Sequence, residues 1–206
     1  MRYLTIVIVF LFTTLAAQAQ TKINYGAGLS FNGAGDLPGY NVQAGIKFKA
    51  KNRISYAVNL RHTNNARELG LYFIDPATGI NANSSYRLIS SGIQSEFIPT
   101  LNIIKEKAVN LNLGIGGLIR YQFSNDVTQL AFLYPTATGY PIPLVAIDID
   151  NKKFKYFTLG YTALVEFNFK INSKSNIGIS LNLQNDTYGN VIWNFPVTYS
   201  YKISDK

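Results

Sequence analysis

The 206-residue chain contains no cysteine, which excludes disulfides, thiolate metal sites, a cysteine nucleophile and a lipid anchor on an N-terminal cysteine. Charged residues make up only 15%, well short of the roughly 25% usual for a soluble domain. Beyond the first twenty positions no apolar run approaches the ~18 residues of a membrane-spanning helix, and no helical period competes with the pattern described below. P-loop, HExxH and GxSxG motifs are absent, as is a dinucleotide fingerprint. The glycine-rich stretch at 33–39 joins one strand pattern to another; with no helix N-terminus to hold phosphate, it reads as a turn. What the chain has instead is apolar and aromatic bulk, with 14 Tyr and 13 Phe, enough to exclude a disordered chain.

Residues 1–19 read as an export signal. Arg2 precedes an uncharged apolar run, and Ala17-Gln18-Ala19 is a small-residue cleavage site, so the mature domain is expected to span 20–206. The formal charge is +8, yet the basic residues are not interleaved with stacking aromatics on any one segment. An exported chain of this kind is expected to have no nucleic-acid partner.

The dominant signal in the mature chain is alternation with period 2, the mark of strands with one apolar and one polar face. Eight such stretches are present: 22–32, 40–50, 53–62, about 87–103, 108–123, Phe157 to Ile171, Ile177 to Gln184, and Val191 to Ile203. The fifth is the most regular. Val109, Leu111, Leu113, Ile115, Ile119, Tyr121 and Phe123 share one face, opposite Asn110, Asn112, Gly114, Gly116, Arg120 and Gln122. The expected fold is all-β: an eight-stranded, antiparallel, up-and-down transmembrane β-barrel, because an even number of alternating strands closes with no free edge.

The side chains decide which face is inside. An eight-stranded lumen is just wide enough to be filled by side chains, and the bulky, often aromatic, apolar face would overfill it. The polar face, rich in Gly, Ser and Asn, fits. The apolar face carries no charge along these stretches, as contact with lipid requires. The connections agree. Tight turns at Lys51-Asn52, 104–107 and 172–176 alternate with longer links at 33–39, 63–86, 124–153 and 185–190, the short-inside, long-outside arrangement of outer-membrane barrels.

On this pattern the chain resembles the small eight-stranded outer-membrane barrels, the OmpA/OmpX-like class. The resemblance implies residence in the outer membrane of a Gram-negative-type envelope, with outer-membrane lipids as neighbours and no cofactor. It also implies a non-enzymatic role, through surface loops or as a structural envelope protein. The chain departs from the class at its end, where Ser204-Asp205-Lys206 replace a terminal aromatic residue.

Charged residues assigned to the lumen are Lys47, Lys49, Arg53, Arg61, Glu96, Arg120, Glu166 and Lys170. Buried charges need partners, so Arg120 is expected to pair with Glu96 or Glu166. The long links 63–86 and 124–153 each place an aromatic run before Pro and Ala-Thr-Gly, which predicts two hairpins. Their candidates for meeting a partner are Tyr72, Phe73, Leu130, Phe132, Tyr134 and Tyr140. Lysines gather toward the short turns, while Asp36, Glu68, Asp75, Asp126, Asp148, Asp150 and Asp186 are assigned to the long links.

Two other functions compete with this one. Arg61-His62-Thr63-Asn64 resembles in part the His-x-Ser-Asn motif of outer-membrane lipid A deacylases, but Asn64 stands where the nucleophilic serine belongs. Such an enzyme, acting on lipid A or phospholipid, would need Ser84 or Ser85 brought to His62. The other competitor is a soluble exported barrel binding an apolar ligand. Asp148-x-Asp150-Asn151 lacks the Gly and terminal Glu of a calcium loop, so no metal is expected.

Overall fold

A computed structural model describes residues 20–33, 37–50, 53–69, 72–74, 81–83, 86–106, 108–125, 129–133, 144–148 and 154–203. Eight long strands form one closed antiparallel barrel: β1 (Gln20–Asn32), β2 (Leu37–Lys49), β3 (Ile54–Leu69), β6 (Tyr86–Lys105), β7 (Val109–Asn125), β10 (Phe154–Lys170), β11 (Ser175–Asp186) and β12 (Val191–Lys202). Each pairs with its neighbour in sequence, and β1 closes the barrel against β12, with Tyr25 opposite Tyr199 and Phe31 opposite Trp193. Two short hairpins, β4 (Tyr72–Ile74) with β5 (Asn81–Asn83) and β8 (Gln129–Leu133) with β9 (Leu144–Asp148), complete the described strands.

Alternation sorts the side chains as the period-2 pattern predicts, polar inward and apolar outward. Arg61, Gln94, Glu96, Arg120, Gln122, Asn182, Gln184 and Asn194 are buried, whereas Leu29, Leu60, Ile115, Ile119, Phe157 and Leu159 stand exposed. Ile115 is 74% and Phe157 72% accessible, values that water would penalise across a whole belt and a bilayer rewards. The reversal removes the soluble apolar-ligand alternative, because the lumen along the described strands is lined mainly by polar groups.

Aromatic cross-strand pairs mark both ends of the belt. Tyr121 opposes Phe157 near the loop end, with ring centroids 4.8 Å apart. Near the turn end, Phe48 opposes Tyr56, and Tyr56 stacks on Phe97 at 5.9 Å. Such rings carry an apolar body and, in Tyr, a polar tip suited to the headgroup level.

The polar face is less uniform than the alternating residues picked out from the sequence. Ile98, Leu118, Leu164 and Ile192 also point inward and are buried, and Ala57, Ile98 and Leu164 form a small apolar cluster within the lumen. Position 116 in this wall needs glycine, because a Cβ there would run into the backbone of Phe97 and Ile98. A bulge between Asn102 and Ile104 interrupts the β6–β7 ladder. The extra residue leaves both Ile103 and Ile104 exposed, re-aiming the strand end as bulges do.

The two hairpins bear differently on the barrel. Leu69 pairs with Tyr86, and the β4–β5 register, Tyr72 with Asn83, continues the β3–β6 ladder in step. Gln129 pairs with Asp148 in a register shifted by one residue from the β7–β10 ladder. Both predicted hairpins are therefore present as backbone pairings. Residues 1–19, the Lys51-Asn52 turn, Tyr134, Tyr140, Ser84, Ser85, Asp150 and Asn151 lie outside the described residues.

Candidate functional site: the charged lumen

Inward positions on several strands meet in the loop half of the lumen. Arg61 from β3 contacts Glu96 of β6, its Nη2 3.3 Å from Oε2. Its Nη1 donates to Asn182 Oδ1 at 2.8 Å and its Nη2 to Gln43 Oε1 at 2.6 Å. Arg120 from β7 pairs instead with Asp186 of β11, Nη1 to Oδ2 3.1 Å. The remaining nitrogens of Arg120 donate to two glutamines, Nε to Gln94 Oε1 at 2.7 Å and Nη2 to Gln184 Oε1 at 2.5 Å.

These two amides then donate, through their Nε2 groups, to the same oxygen of Glu96, Oε1. Arg120 and Glu96 are thus joined through a pair of bridging amides. Each glutamine presents oxygen to the cation and nitrogen to the anion, an orientation that suits opposite charges on its two sides.

The expected pairing of Arg120 with Glu96 or Glu166 is corrected by this geometry. The carboxylate in contact with Arg120 is Asp186, a residue assigned from sequence to an outer link. In the structure β11 continues through Asp186, which alternation turns inward to 8% exposure. Its other oxygen, Oδ1, accepts from the backbone nitrogens of Tyr188 at 2.9 Å and Asn190 at 3.1 Å. One carboxylate therefore ties the lumen network to the β11–β12 turn, where Gly189 takes φ 78°, a conformation that suits glycine.

Glu166 lies in the other half. It accepts from Lys47 Nζ at 2.6 Å and from Asn112 Nδ2 at 2.8 Å. Beyond this pair, toward the short turns, the lumen widens into a vestibule of about 390 Å³. Lys22, Lys47, Lys49 and Arg53 line one side, with Lys105, Lys170 and Lys202 completing the cations. Lys22, which is not among the charges assigned to the lumen from the sequence, also turns inward by alternation; it stands directly opposite Lys47 on β2 and Lys202 on β12.

His62 points away from this machinery, on the outer face of β3. Its Nδ1 donates to the Gly92 carbonyl at 3.1 Å, and its ring meets Tyr40 edge-on at 6.3 Å. The Ser91 hydroxyl, on the neighbouring strand, donates to the Thr63 carbonyl at 3.2 Å. Both groups are engaged by backbone oxygens and not by each other, so the pair lacks the hydroxyl-to-imidazole bond of an activated nucleophile. Of the partner-binding candidates, Tyr72 and Phe73 belong to β4 and Leu130 and Phe132 to β8. Leu130 pairs with Ile147 and Phe132 with Val145 along the backbone.

No family model and no curated protein matches the sequence. Among solved structures, the chain is similar to neisserial surface protein A, with a TM-score of 0.55 and 9% identity over 89% of this chain and 97% of that one. It also aligns with the attachment invasion locus protein of Yersinia pestis, at a TM-score of 0.46 and 10% identity over 90% and 99% of the two chains. A major outer membrane protein of Thermus thermophilus aligns at 0.45 and 10% identity, over 89% and 99%. The latter two likenesses are too loose to bear on this chain. The first shows a shared fold, the small transmembrane β-barrel, and at 9% identity it shows nothing about activity.

Proposed function

We propose that this chain is a non-enzymatic outer-membrane protein of a Gram-negative-type envelope, exported by a signal cleaved after Ala19. In this reading the barrel is a closed anchor, and the hairpins within 63–86 and 124–153 meet a partner at the cell surface. Lipids of the outer membrane surround the belt. The observation that carries the reading is the plugged lumen: Arg61, Glu96, Arg120 and Asp186 are all buried and bonded across it. With the loop half of the interior filled, the parts on that side left to act are the long links, and the β4–β5 hairpin keeps the register of the β3–β6 ladder. Loops held on a rigid scaffold are where binding residues concentrate.

Two measurements on the purified protein test this. Cold and boiled samples on SDS gels are expected to differ, with slower migration after boiling, and planar bilayers are expected to show no stable unitary conductance. Steady single-channel steps would make the protein a pore and overturn the anchor reading. Recovery in the aqueous fraction with no gel shift would remove it from the membrane altogether. Replacing 72–83 by a short Gly-Ser turn is expected to preserve the shift, since the β4–β5 hairpin forms its own sheet.

A further inference from the structure

The vestibule at the short-turn end has the composition of a binding site and not of a plug. Among the described residues its lining includes five asparagines and three serines together with seven Lys and Arg side chains, against one carboxylate, Glu106. Glu166, at the floor, is already bonded to Lys47 and Asn112. The space is blind: the apolar cluster of Ala57, Ile98 and Leu164 and then the buried network close it above. A volume of about 390 Å³ is within the range of small-molecule sites.

The placement of the lysines is the more telling feature. Lys47, Lys22 and Lys202 stand opposite one another on three adjacent strands. They are on the inward face of the ladder, within the last few residues of their strands, and each is only partly exposed. Like charges directly opposed across strands weaken a sheet, and an anion among them reverses that effect. Because these side chains point into the lumen, the barrel wall stands between them and the headgroups around the belt.

We propose that this vestibule binds a small, soluble, multiply charged phosphate compound that enters along the barrel axis from the short-turn side. Phosphate chemistry fits better than carboxylate chemistry because a phosphoryl group brings up to about two negative charges and three acceptor oxygens in one compact group. Lys22 and Lys49, on adjacent strands at the vestibule, favour that charge density. Lysine serves as a point charge for phosphate oxygens, and the surrounding amides and hydroxyls donate to whatever oxygens the cations leave.

The test uses the full mature chain in nanodiscs of zwitterionic lipid, with inorganic tripolyphosphate followed by calorimetry. Saturable one-to-one binding is expected, weakened at least tenfold by Lys22→Gln and by Lys49→Gln and unchanged by Lys174→Gln on the neighbouring turn. Tripolyphosphate should raise the unfolding temperature of the parent protein, and raise it less in Lys22→Gln, whose retained gel shift on boiling establishes that it is folded. Binding that fails to saturate, or that survives both vestibule substitutions, would overturn the proposal. So would equal affinity for a glutamate decapeptide, which would make this a site for acidic polypeptide. Loss of tripolyphosphate binding in nanodiscs of anionic lipid would also overturn it, by showing that headgroups occupy the lysines.

Discussion

Toward the loop end of the lumen, Arg61 and Arg120 are matched by Glu96 and Asp186, with Gln94 and Gln184 bridging the two pairs. Toward the turn end, seven cations share Glu106 and the already bonded Glu166 among the described residues. The same eight strands build both halves, so the difference is not one of scaffold. In the loop half these charges are removed from water, and an unmatched one there would be prohibitively costly. In the turn half the mouth admits water, which screens the excess and lets it persist. A closed half that ties strands together thus sits beside an open half lined mostly by cations.

If the loop half is the clamp, its centre should be the most sensitive position in the barrel. Arg120→Met removes three donors at once and leaves Asp186 and two glutamine oxygens buried without their cation. Breaking a buried pair from one side typically costs about 3–5 kcal/mol. Urea unfolding in lipid vesicles should register a loss of that size. A loss below about 1 kcal/mol would mean that the network is ornamental and that lipid contact alone holds the barrel.

Paired amide substitutions sharpen the contrast between halves. Asp186→Asn keeps the size of the side chain but removes the charge facing Arg120, with an expected loss of about 2–3 kcal/mol. Glu166→Gln makes the same chemical change in the turn half, where Lys47 retains 18% exposure and can turn to water. About 1 kcal/mol is expected there. Equal losses in the two variants, measured in the same urea series, would erase the distinction between closed and open halves.

Much of this was legible in the sequence. The eight strands were, because one-sided burial writes itself as period 2. So was the choice of lipid outside, because Lys, Arg, Asp and Glu are missing from the apolar face away from the strand ends. The partners inside the lumen were not. Asp186 reads as a loop residue because the regular alternation ends at Gln184, whereas β11 runs two residues further. That Arg120 meets it, and reaches Glu96 through two amides, depends on strand tilt and stagger, which set which inward residues share a level. Leu118, Leu164 and Ile192 are hidden for a related reason: an apolar residue on a polar face reads as an exception until the barrel gives it neighbours.

The smallest expected effect has the opposite sign, and that makes it the sharpest of the set. In the absence of any anion, Lys22→Gln should stabilise the barrel, since it removes a charge flanked directly by Lys47 and Lys202. Opposed like charges cost in the range of about 0.2–1 kcal/mol per pair, so a gain of roughly half a kilocalorie per mole is expected at low salt. The gain should shrink as salt rises, because at about 1 M the screening length falls to ~3 Å, shorter than the spacing of opposed side chains. Neutralising Arg120 destabilises at any salt concentration, because water and ions do not reach it. A destabilised Lys22→Gln at low salt would show that Lys22 serves the wall through its contacts, as Arg120 serves the plug, and the turn half would then be a second clamp instead of an open site.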